Sequence, residues 1–142
     1  MTVRLLATRA RFNAAEGTWV GILRSCSAYE AYLRTYHRSV DWSRALELLL
    51  LGRLFPRSVY SALTVAERRL TELDPREGTG FGAADAARLV GQARAELEYL
   101  APEELTARLA GVLARTQRLC NEANAALSAQ YFQQHQLITW TA

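Results

Sequence analysis

A chain of 142 residues with 50% hydrophobic and 22% charged side chains has the material for one domain with a real core, which excludes a disordered chain. The net charge of +3 and the pI of about 9.2 rest on 17 basic residues, all arginine, interleaved with 14 acidic ones, so no segregated basic surface supports nucleic-acid binding. No apolar stretch approaches the ~20 residues that cross a bilayer, and arginines interrupt every apolar run near Met1, which argues against a signal peptide and for a cytoplasmic chain.

The apolar spacing predicts helices throughout and no strand. The first covers 2–15. Thr18 caps a second that runs to Tyr36, with Trp19, Ile22, Leu23, Cys26, Tyr29 and Leu33 on its core stripe and Tyr32 and Tyr36 off it. Glu30 and Arg34 form an outward i,i+4 pair on this helix. Asp41 caps a short third helix over 42–51. Its last turn, Leu48-Leu49-Leu50-Leu51, has no polar face and is therefore buried on most sides. Gly52 ends that helix in the left-handed conformation, and Pro56 opens a fourth that runs to Leu73. A Gly- and Pro-rich loop follows at 74–82, then a fifth helix over 83–100. Pro102 opens a long sixth, with Glu103 and Glu104 in its first turn and Tyr131-Phe132 as its last core anchor. Short links between long helices imply antiparallel neighbours, hence a single all-α bundle of five to six helices over 1–142.

The sharpest candidate site is the corner between the third and fourth helices. Phe55 is a poor N-cap, which leaves helix amides free, and Arg57 in a first turn opposes the helix dipole. Arg53, Arg57 and Ser58 could therefore hold a carboxylate or phosphate. The favoured alternative fills the corner from within, with Glu47 and Glu30 as the partner carboxylates. Catalytic signatures are absent: the sequence has no G-x-S-x-G and no P-loop, and His37 and His135 lack metal-ligand spacing. No metal and no cofactor is implied. Cys26 and Cys120 are far apart and read as buried free thiols. Glu67-Arg68-Arg69 reads as a solvated face with pairs inside its own helix.

Three stretches, Trp19 to Tyr32, Leu48 to Val59 and the closing Tyr131-Phe132, together resemble the alpha-E family, a bacterial helical domain of unknown function. The chain looks like the C-terminal half of a typical member. Met1 to Leu6 resembles the sequence that follows the family's Glu-Arg motif, which in a leucine-glycine-arginine context would stand upstream of Met1. Glu67-Arg68 is the same dipeptide in another context, and the motif is not carried over to it. Members usually have an aspartate where this chain has Gly52. The resemblance implies a non-catalytic accessory subunit of a peptide- or amide-forming system, partnered by ATP-grasp-type ligases or transglutaminase-like proteins. An alternative is a helical substrate- or anion-binding domain contributing to catalysis; a nucleic-acid-binding module is the third. An unfilled apolar seam would favour homo-oligomers.

Overall fold

Residues 2–9, 16–73 and 81–131 are described by a computed structural model. They form seven helices and no strand: α1 (Thr2–Arg9), α2 (Glu16–Ser25), α3 (Tyr29–Tyr36), α4 (Trp42–Leu51), α5 (Val59–Leu73), α6 (Phe81–Glu98) and α7 (Pro102–Tyr131). The parts of the first helix beyond residue 9, most of the 74–82 loop, Phe132 and His135 lie outside the described residues.

The leucine run explains the centre of the fold. α4 packs against α2, α5, α6 and α7, so it needs apolar side chains all round. Leu48, Leu49 and Leu50 are buried and Leu51 is half-buried. Asp41 caps the helix as its position predicts, its Oδ2 accepting the Arg44 amide at 3.1 Å. α6 packs most extensively on α7 and α5, and α1 lies on α7. Tyr60 meets Glu98 and Glu67 meets Arg94, so the chain order runs in opposite directions along α5 and α6. The core draws on almost every helix, from Leu6 on α1 to Leu119 and Ala123 on α7.

The expected second helix is two. Ser27 takes φ 52°, its amide donates to the Arg24 carbonyl at 2.9 Å, and the Ala28 amide donates to the Leu23 carbonyl at 2.7 Å. This is the paired-bond pattern of a left-handed helix stop, here on serine instead of glycine. Leu23 and Ala28, which flank it, are fully buried. The break resets the helical phase, and that corrects the aromatic assignment. Tyr32 is 0% exposed while Tyr29 is only half-buried. The Tyr32 hydroxyl donates to the Ser39 carbonyl at 3.2 Å and accepts the Asp41 amide at 2.9 Å, tying α3 to the start of α4. A buried phenol needs such partners.

Candidate functional site

The chain turns between α4 and α5 through Gly52–Ser58, and the turn differs from its sequence reading in two respects. Gly52 has φ −58° and ψ 98°, outside the left-handed region. Its glycine is required for a different reason: a Cβ there would lie 2.5 Å from the Leu48 carbonyl oxygen. A side chain at this position would need the backbone to shift. Secondly, α5 begins at Val59, not Pro56. The Ser58 Oγ accepts the Ser61 amide at 3.0 Å, so serine takes the capping position that Phe55 cannot fill.

The Ser58 and Ser61 hydroxyls and the Phe55, Ser58 and Ser61 amides are engaged within the turn. Ser58 is buried, and its hydroxyl donates to the Gly52 carbonyl at 2.6 Å while capping α5. Ser61 Oγ reaches the Gly52 and Arg53 carbonyls at 3.3 and 3.2 Å. The Phe55 amide also donates to Gly52, at 3.3 Å, and the Phe55 ring is buried beneath the turn. Arg57 precedes the helix and is exposed, forming no ion pair with the described residues.

Arg53 has a partner, but neither Glu47 nor Glu30. Its Nη1 lies 3.6 Å from Glu98 Oε1, and its guanidinium stacks over the Tyr60 ring at 5.2 Å. Glu98 is the middle of a wider network. The Tyr60 hydroxyl donates to it at 3.3 Å, and Arg94 pairs with it one turn back on α6. Arg94 Nε also donates to Glu67 Oε2 at 2.6 Å, across to α5. Those two carboxylate bonds raise the Arg94 pKa further above its ordinary value. Gly91, one turn before, leaves the room: a Cβ there would lie 2.6 Å from Glu67 Oε1. The 67–69 run therefore divides. Arg68 and Arg69 pair with Glu72 within α5 as expected, while Glu67 crosses to α6. Sequence reading missed this network; Arg94 and Glu98, one turn apart with Gly91 just before, were its available signal.

Glu30, Arg34 and Glu47 come together elsewhere. With Arg53 they line a groove of about 610 Å³ between α3, α4 and the corner, where Tyr36, Leu48, Leu54, Phe55 and Pro56 supply apolar surface. The expected Glu30–Arg34 pair is not closed, and neither carboxylate has an ion-pair partner among the described residues. Burial first, then the neighbouring Glu47 carboxylate, pushes the Tyr36 hydroxyl up to about 12. Leu54 stands on the rim and is 99% exposed. A second groove of about 690 Å³ lies between α6 and α7, lined by Glu96, Tyr99, Leu100, Arg108, Val112 and Arg115 among others. Tyr99 there is 87% exposed.

Among the described residues no three His, Cys, Asp or Glu side chains gather to hold a metal ion, and no helix is long and apolar enough to cross a membrane. Cys26 and Cys120 are free and half-buried, and burial raises both thiol pKa values.

No curated protein and no solved structure matches the chain. A match is found to Alpha-E, described as a predicted alpha-helical domain with a conserved ER motif, and it spans residues 1–132, nearly the whole chain and not only a C-terminal half. With seven helices and no strand among its described residues, and matched over that length, the chain belongs to the Alpha-E family.

Proposed function

We propose that this Alpha-E chain is a non-catalytic helical accessory subunit of a peptide- or amide-forming system, acting through an ATP-grasp-type ligase or a transglutaminase-like partner. One observation carries the non-catalytic half of the reading. Two of the corner's three candidate anion-binding side chains are engaged within the fold, Arg53 on Glu98 and Tyr60 and Ser58 on Gly52 and Ser61, while Arg57 is exposed and has no ion-pair partner among the described residues. A side chain so engaged holds helices in place and is poorly placed to bind and release an anion. The choice of partner rests on the family resemblance. The α6–α7 groove, with an exposed tyrosine on its wall, has the aromatic character of a docking surface.

The test is reconstitution with an ATP-grasp-type ligase from the same genome, following complex formation by calorimetry and ligation by product release. Stable association that Tyr99→Ala weakens, with a ligation rate indifferent to Arg53→Gln, is the expected result. Lost ligation in Arg53→Gln with the complex intact would move the chain into the catalytic machinery. No association at micromolar concentrations with either class of partner would remove the accessory role.

A further inference from the structure

The corner presents one side chain to solvent in a fixed position. Phe55 anchors the turn from below, Arg53 folds back over Tyr60, and the Gly52 carbonyl accepts from Phe55, Ser58 and Ser61. Leu54, held between these anchors, is 99% exposed. A lone exposed leucine needs no explanation. This one stands on the rim of the 610 Å³ groove, which has its own apolar lining and holds Glu30, Glu47 and Arg34 without ion-pair partners among the described residues. Arg57, exposed and likewise without one, directly follows Pro56 on the groove's wall.

We infer that the Gly52–Ser58 corner and its groove form a two-fold interface with a second copy of this chain. A two-fold contact lays one patch against itself, so the patch must carry knob and hole, and both signs of charge. This patch carries all four: Leu54 as knob, the groove as hole, Glu30 and Glu47 as unpaired anions, Arg34 and Arg57 as unpaired cations. A partner of single-sign charge would leave half of those groups unmatched. In the dimer, Leu54 of each copy enters the other's groove, and Arg57 of each reaches the carboxylates of the other. The turn is already ordered, so little conformational freedom is lost on docking. This assembly does not depend on the accessory role proposed above.

Sedimentation velocity of the full chain over a concentration series tests the inference. A monomer–dimer equilibrium that weakens with added salt is expected. Leu54→Glu should raise the dimer dissociation constant at least about tenfold, as for a central interface residue. Leu54→Ala should act in the same direction, and both should leave the helical circular-dichroism spectrum unchanged, since the site is fully exposed. Arg57→Glu should weaken the dimer, and adding Glu47→Arg to it should recover part of the loss. A chain monomeric at all concentrations, or a dimer that Leu54→Glu leaves intact, would overturn the interface. So would a double charge variant no tighter than Arg57→Glu alone.

Discussion

Ser27 holds φ 52°, a conformation that costs an L-residue roughly 1–2 kcal/mol and glycine almost nothing. Ser27→Gly should therefore stabilise the chain by up to about 1 kcal/mol, less the extra backbone entropy glycine brings to the unfolded state. Urea midpoints would show it, and an unchanged or lowered midpoint would deny the strain. Tyr36 makes a pH prediction. Its folded pKa of about 12 lies above the unfolded value near 10, so the unfolded chain loses its proton first and stability falls as pH rises through that window. Difference absorbance at 295 nm between the wild type and Tyr36→Phe should show no Tyr36 ionisation until about pH 12, and Glu47→Gln should bring it lower. At this scale the sequence was only partly readable. Asp41 as a cap followed from one residue and its neighbours. Ser58 as a cap did not, because Pro56 offered a plausible earlier start. Ser27 as a helix stop was hidden because serine rarely takes a left-handed turn.

Helices differ in how much of their role a stripe of residues reveals. The four leucines of α4 lack a polar face, and four neighbouring helices surround them. Leu49, 0% exposed, should cost about 2–5 kcal/mol when cut to alanine. Arg68→Ala on the exposed face of α5 should stay within about 0.5 kcal/mol. Denaturant midpoints that moved equally for both would refute the central place of α4. The α5–α6 pair instead depends on side chains that no single-helix pattern can couple. Glu67 and Arg94 are 27 positions apart, and only the antiparallel packing brings them to 2.6 Å. Arg94 bridges Glu67 and Glu98 with about a quarter of its side chain exposed, so Arg94→Met should cost on the order of 1–2 kcal/mol after allowance for solvent screening. Arg115→Met, which breaks a more exposed pair with Glu96, should cost less than about 1 kcal/mol. Thermal melts that ranked the two in the opposite order would show that the partly buried network does not clamp the helices.

For the whole molecule, the all-α bundle followed from helical spacing alone, because each long apolar stripe must meet another. The extra helix came from the break at Ser27. The candidate site was legible as a place but not as a set of contacts. Gly52 to Ser58 does form a sharp corner beside the most buried helix, yet Arg53 turns to Glu98, on a helix more than forty residues away. Glu30 and Glu47 meet in a groove that forms only once α3 turns away from α2. Arg53 and Ser58 are engaged within the fold, and the domain is proposed to act through its surfaces and not through a bound small anion. Calorimetric titration of the chain with inorganic phosphate, ATP and glutamate addresses this most directly. No saturable binding below millimolar concentration is predicted for any of the three. Saturable binding of one of them that Arg53→Gln abolishes, in a variant still fully helical, would contradict the account.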